Sequence, residues 1–296
     1  QVLAASRALQ DALKLNLTWL AHIDIDEAIL VSNIKHYLYH VPKRFEQVRV
    51  LNWEAAVDDI EIGDWFREVK HFKINPLNVP RNVFDNFWPE HQRGKELFMG
   101  YSNGKSIVRV RPGVVPAGVH VFGERMGREK GFGEFSTKLE DGRPGVNPAG
   151  SLVLLHYINC GFRNWKQKYT ILGNFSDFYF DKHEMPTFHR MSRDVIHEST
   201  ADIVSEKVYR KKIMWKPSEV YTLVQAGIMV IVNHVAHTLE KADMIADMRR
   251  VSMDSAGTKL NRKKSQQSRL PNYQPSVEEI ERSNSEAREA GVSDIG

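Results

Sequence analysis

The sequence predicts an α/β protein, and three stretches carry that expectation. In residues 17–30, LTWLAHIDIDEAIL, an apolar run meets two carboxylates spaced i and i+2 and then turns apolar again. Residues 151–159, SLVLLHYIN, are a second apolar run with one histidine inside it. Residues 2–15 place Val2, Leu3, Ala5, Leu9, Ala12, Leu13 and Leu15 largely at helical spacing just upstream of the first run. Helix, buried strand, acidic loop is an α/β order, in which ligands gather at the carboxyl ends of strands.

Composition bounds the function. A chain of 296 residues can bury one large core or two smaller ones, and 42% hydrophobic with 26% charged residues is ordinary for a globular protein. The formal charge of +4 is too mild to point to nucleic acid, and no nucleic-acid partner is expected. The single cysteine, Cys160, excludes an intrachain disulfide framework and a Cys-rich zinc site, and reads as a small buried residue. The longest apolar run, residues 226–232, falls well short of the roughly 20 residues a bilayer requires.

Taken in order, the first helix should end near Asn16, a residue that tolerates the left-handed conformation. The following run reads as a buried strand that delivers Asp24 and Asp26 to one side, because strand side chains alternate between faces. Two carboxylates there are costly without a cation, and a divalent metal with oxygen ligands removes the cost while holding a phosphate. The pair reads as readily as a solvated turn or a helix cap. Asn33 to His40 is a short helix stopped by Pro42, and Gln47 to Trp53 a strand followed by Glu54, split evenly between a surface residue and a role near the site. Residues 58–96 read as irregular, dense in aromatic residues and broken by Pro76, Pro80 and Pro89.

Asn103-Gly104 signals a turn, followed by a strand over Ser106 to Arg111 and a short one over Val119 to Phe122. Gly104-Lys105-Ser106 is no phosphate loop, because strand-like residues follow it where a helix is required. Residues 123–150, rich in glycine and charge, read as a mobile loop containing Glu140 and Asp141. His156 lies in the second apolar run, where an isolated histidine is usually a satisfied core residue; a carboxylate pair nearby shifts the balance towards a metal ligand. Phe162 to Leu172, residues 188–203 and residues 204–212 read as helices. A long helix from Glu219 to about Arg249, capped by Ser218, precedes a tail that reads as disordered from about residue 253.

These residues carry a resemblance. WLAHIDIDEAIL resembles the D-x-D segment of GT-A-fold glycosyltransferases, family 2-like and family 92-like, and NGKSIVRVRPGVVPAGVHVF and LVLLHYINCGFRNWKQKY resemble their later segments, in the same order. The resemblance implies a GT-A-like fold, a partial Rossmann-like sheet flanked by helices, over residues 1–195; helical spacing adds an extension over 196–252, and composition the tail over 253–296. It implies transfer of a sugar from a nucleotide-sugar donor to a hydroxyl of a glycan, protein or lipid acceptor. It also implies Mn2+ or Mg2+ held by Asp24 and Asp26, with His156, then His120, as the further ligand. Lys105, Arg109 and Lys166 become candidate phosphate contacts, and Glu140 and Asp141 candidates for the base that takes the acceptor proton. Trp53, Phe87, Trp88 and Trp165 are candidate sugar-stacking rings, against a buried role for each.

GT-A folds place a nucleotide-binding half before the D-x-D, whereas here about twenty residues precede Asp24 and the chain begins with Gln1 rather than Met. The expectation is either a protein extending upstream, with the nucleotide pocket there, or a natural truncation, and in both cases a piece that is inactive alone; a membrane anchor upstream is left open, and a Golgi or secretory location follows from the resemblance alone. Two other readings use the same residues. One is a carbohydrate- or partner-binding module on a degenerate transferase scaffold. The other is a HAD-type phosphatase, disfavoured because Glu27 and Ala28 follow Asp26.

Overall fold

The structure, a computed structural model, describes residues 1–79, 82–83, 96–124, 134–136, 152–173, 175–182, 185–198 and 202–257. Among these, eleven strands and nine α-helices are arranged in an α/β fold. The strands are β1 (Trp19–Ala21), β2 (Glu27–Leu30), β3 (Gln47–Val50), β4 (Asn52–Ala55), β5 (His71–Lys73), β6 (Lys105–Arg109), β7 (Val114–Pro116), β8 (Phe122–Glu124), β9 (Glu134–Ser136), β10 (Val153–His156) and β11 (Met229–Ile231). The helices are α1 (Val2–Lys14), α2 (Ile34–His40), α3 (Trp65–Glu68), α4 (Phe162–Leu172), α5 (Asp177–Lys182), α6 (Thr187–Glu198), α7 (Asp202–Lys212), α8 (Pro217–Gln225) and α9 (His234–Gly257). Residues Gln1–Met244 form one compact unit. A second unit spans Ile245–Gly296, where the described residues show the end of α9. No helix among the described residues is long and apolar enough to cross a membrane.

Two sheets organise the first unit. The first has the order β1-β6-β3-β9 and the second β11-β5-β4-β10-β2, with a separate β7-β8 hairpin. In the second sheet β4 and β10 run parallel while the outer pairs are antiparallel. Strand β10 is buried on both faces, which is why its sequence is an unbroken apolar run. Val153 and Leu155 join the cluster of Phe72, Trp165, Tyr169 and Tyr209. Leu152 and Leu154 pack with Val48 and Ile107 of the first sheet. Alternation puts His156 on the face of Leu154.

Several expectations hold at the level of single residues. Asn16 adopts φ 53 after α1, the short helix before Pro42 is α2, and α4 spans Phe162–Leu172 as its periodicity predicts; Asn33, placed by its sequence within α2, instead caps it by accepting from the His36 amide. Others are corrected. The run before the aspartates is not a buried strand: β1 is three residues long, sits at the edge of the first sheet and is partly exposed. The stretch from Gln47 to Trp53 divides at Leu51 into β3 and β4, which belong to different sheets. Within the stretch read as irregular, residues 58–79 hold α3, β5 and a 3-10 turn at Pro76–Asn78, while residues 84–95 lie outside the described residues. The strand expected at residues 119–122 begins only at Phe122, and it pairs with β7. The helix expected from Glu219 is α8, β11 and α9. Gly227, at φ +71, ends the first helix, and the β-branched run behind it pairs with β5. Ser218 is not its cap: α8 begins at Pro217, and Glu219 accepts from the Lys216 amide.

Candidate functional site

After Ala21 the chain crosses from the first sheet to the second, and Asp24 and Asp26 sit in that crossing as a turn. The Glu27 amide donates to the Asp24 carbonyl at 3.2 Å, and the Asp24 amide donates to Glu27 Oε2 at 2.6 Å, which closes the turn. Each flank is tied to a different sheet. The His22 amide donates to the Ser106 carbonyl of β6, and the Tyr157 amide donates to the Asp26 carbonyl at the end of β10. Ile25, between the aspartates, is 90% exposed.

The two carboxylates have different partners. Asp24 accepts from Gln1 Nε2 at 2.9 Å and from Lys105 Nζ at 2.8 Å, so both its oxygens are engaged. Lys105 is buried and also donates to the Val119 carbonyl. Asp26 Oδ2 lies 3.8 Å from His156 Nε2 and 3.7 Å from Lys168 Nζ, distances that leave the carboxylate open to a ligand. Burial, helped by the Lys168 and Lys105 charges, holds the His156 imidazole well below its ordinary pKa, in the neutral form that can bind a metal. Its Nδ1 is buried without a partner among the described residues.

Behind the turn lies a row of buried ionisable side chains. Register pairs His156 with Glu27 on one side and with Glu54 on the other, and Glu54 with Lys73. Neighbours in register share a face, so Glu27, His156, Glu54 and Lys73 form one line across four strands. Burial pushes the Glu27 carboxyl up to about 8, and its Oε1 lacks a partner among the described residues. Glu54 is ion-paired with Lys73 and accepts from the Met99 and Gly100 amides. The segment that follows is held residue by residue: the Tyr101 carbonyl accepts from Asn52, Ser102 from Asn75, Asn103 from Arg49 and Gly104 from His120 Nδ1. The strap so formed stacks the Tyr101 ring on His156 at 4.8 Å and edge-on to His120 at 4.3 Å.

The turn opens onto a cavity of about 840 Å3. Both aspartates line it, with Lys168 and Gln167 of α4, Asn159 below, and the alanines of α1 as its apolar wall. The structure therefore brings Asp24, Asp26, His156, Lys105 and His120 into one neighbourhood. It does not bring Lys166 there: Lys166 pairs with Asp202 of α7, and Lys168, two residues on, faces the cavity. Arg109 is a clamp on the backbone, donating to the Phe45 and Val41 carbonyls while lying 4.2 Å over the Trp19 ring. Trp165 is wholly buried and donates to Ser192, which leaves it no free sugar-stacking face, while Trp53 is half-buried and packs on the same core cluster. Phe87 and Trp88 lie outside the described residues. Glu140 and Asp141 lie outside the described residues. Glu54, evenly split in the sequence between the surface and the site, is buried beside His156. Sequence reasoning missed Lys73, Tyr101, Asn159 and Trp65; for Tyr101 the nearest signal was Asn103-Gly104, read only as a turn.

Among the described residues no three His, Cys, Asp or Glu side chains gather as a complete metal site. Asp26 and His156 supply two donors. That suits a divalent ion that completes its shell with substrate phosphate oxygens and water, as Mg2+ does with one or two protein carboxylates.

No protein-family model matches the chain. It is similar to two glycosyltransferase-like proteins of Arabidopsis thaliana. One is 32% identical over 126 residues, which cover 40% of this chain and 28% of that relative. The other is 30% identical over 126 residues, covering 40% of this chain and 24% of that relative. The match thus spans about a quarter of the length of these curated relatives.

Proposed function

We propose that this chain carries the metal arm of a GT-A-like glycosyltransferase, whose complete form moves a sugar from a nucleotide-sugar donor to an acceptor hydroxyl. The observation that carries the reading is the open Asp26 carboxylate beside the neutral His156 imidazole at the edge of a large cavity. The glycosyltransferase-like description of the two relatives supports it.

In this reading Asp26 and His156 would hold Mn2+ or Mg2+, and the bound ion would offset the charge on the leaving diphosphate. Asp24, with both oxygens engaged, acts chiefly to fix the turn and to keep Lys105 in place. Lys168 offers a cation to the diphosphate at the cavity mouth. Transfer breaks the bond between the anomeric carbon and the diphosphate oxygen and forms one to the acceptor oxygen. The acceptor proton goes to a base, for which Glu140 and Asp141 remain the proposed residues. A secretory or Golgi setting and an upstream anchor belong to the same proposal.

Manganese binding, followed by electron paramagnetic resonance, tests the arm without requiring turnover. One ion should bind, and Asp26→Asn and His156→Ala should each abolish it. Undiminished binding in Asp26→Asn overturns the reading. Manganese-dependent hydrolysis of one of a panel of nucleotide sugars then tests transfer chemistry. A second reading, a carbohydrate-binding module without catalysis, draws on the engagement of both Asp24 oxygens by Gln1 and Lys105. Sugar binding that persists without manganese and without donor hydrolysis would select it.

A further inference from the structure

A pair of histidines outside the cavity has no part in the transferase reading. His36 and His40 stand one turn apart on α2, both exposed, with ring centroids 4.3 Å from each other and planes tilted by 50°. The spacing i, i+4 puts two side chains on one face of a helix, and two histidines so placed can share one ion. His40 Nδ1 lies 2.8 Å from the His36 carbonyl oxygen. A carbonyl only accepts, so Nδ1 carries the proton and donates, which leaves the Nε2 lone pair for a metal. Ligating histidines are commonly oriented in this way, by a backbone carbonyl at the other ring nitrogen. The Tyr39 ring meets His40 nearly at right angles at 5.3 Å and restricts its rotation.

The donor set selects the ion. Two imidazoles offer nitrogen and no charge, which suits Cu2+, Ni2+ and Zn2+ and disfavours Mn2+ and Mg2+. Among the described residues no third His, Cys, Asp or Glu joins them, so water fills the remaining positions, as the tetragonal shells of Cu2+ and Ni2+ allow. The ion would also act on the helix. At seven residues α2 is too short to hold its shape by its own hydrogen bonds, and a bridge across its last turn staples it. Leu38, on the same helix, packs with Val48, Ile107 and Leu154, where the two sheets meet.

We propose that His36 and His40 form a two-point chelate for a divalent transition ion of the copper, nickel and zinc class. This site is separate from the Asp26–His156 arm and does not depend on the transferase reading.

Electron paramagnetic resonance of the whole chain with one equivalent of Cu2+ tests it. The spectrum should show coupling to two imidazole nitrogens, whereas Asp26 with His156 supplies one. His36→Gln and His40→Gln, both at exposed positions, should each lose that pattern and weaken copper binding at least about tenfold, as expected when a chelate becomes a single ligand. His237→Gln, which breaks the exposed i, i+3 pair with His234 at the head of α9, should leave the pattern unchanged. Zinc should raise the thermal midpoint of the parent more than that of either α2 variant. Coupling to a single nitrogen overturns the proposal, as does a two-nitrogen pattern that survives in both α2 variants or vanishes in His237→Gln. A chain that keeps the copper pattern but binds no manganese loses the transferase reading and keeps this one.

Discussion

Glu54 and Lys73 form an ion pair with no solvent exposure on either side chain, in register across β4 and β5, and Glu54 also accepts from the Gly100 amide at 2.8 Å. The pair therefore couples the centre of the second sheet to the strap that lays Tyr101 on His156. Burial lowers the Lys73 pKa, and the Glu54 carboxylate opposes that effect. Removing one partner strands a charge in the core, so Glu54→Gln or Lys73→Met should each cost about 3–5 kcal/mol in denaturant unfolding. The double variant should cost less than the two single losses added together, a non-additivity that a double-mutant cycle reads directly. Additive losses would show that the two side chains act independently.

Acid should destabilise the fold through His189. This imidazole, in contact with the Tyr169 hydroxyl at 2.7 Å, is pushed down to about 4 by burial, with the Lys168 charge adding to it. The unfolded chain then binds a proton that the folded one refuses. Stability is fully present above the unfolded value of about 6.5, falls as pH drops towards 4 and levels off below it. The total is at most about 3 kcal/mol. Thermal midpoints measured across that window should fall less steeply for His189→Gln than for the parent chain.

Gly104 cannot carry a side chain. It adopts φ +68, and a Cβ there would lie 2.0 Å from the Val50 carbonyl oxygen. Gly227 shares a positive φ of +71, but a Cβ added to it would meet no atom within 4 Å. Gly104→Ala should therefore unfold or insolubilise the chain, whereas Gly227→Ala should cost only about 1–2 kcal/mol of left-handed strain. Comparable melting curves for the two variants would refute the steric argument.

Lys168 and Lys166 separate by the sign of their effects. Lys168 Nζ is 3.7 Å from Asp26, where it competes with any cation, while Lys166 is paired with Asp202. Lys168→Met should tighten manganese binding about two- to five-fold and weaken binding of a nucleoside diphosphate, as expected for a partly exposed charge. Lys166→Met should change neither. Calorimetric titrations of both variants with each ligand measure this.

Local signals were legible in the sequence where a residue's role depends on its neighbours in the chain. Asn16 ends α1 and the 3.6-residue period frames α4 because those effects act within a few residues. The site was legible in outline: Asp24, Asp26, Lys105, His120 and His156 do converge. The second coordinate of each residue was not. Glu54 stayed evenly split, and Lys73 unremarked, because their places depend on β4 pairing with β5 on one side and with β10, far along the chain, on the other. The alternation of residues 47–53 breaks at Val50-Leu51, where two apolar residues adjoin, and that break, read through as one strand, is where the chain changes sheets. The left-handed bend at Asn159 closes what reads as a single apolar run.

The crossing at residues 22–26 has a mechanical meaning. Asp24 is held by Lys105 of β6, and the Asp26 carbonyl accepts from the Tyr157 amide at the end of β10, so the two residues are tied to separate sheets. The same two sheets are joined again through the single residue Leu51, between β3 and β4. The spacing of the aspartates is thus a caliper reading of the gap between the sheets. Repacking at Leu51, Leu154 or Ile107, away from the cavity, would widen or narrow that gap and move Asp26 relative to Asp24 with neither residue altered.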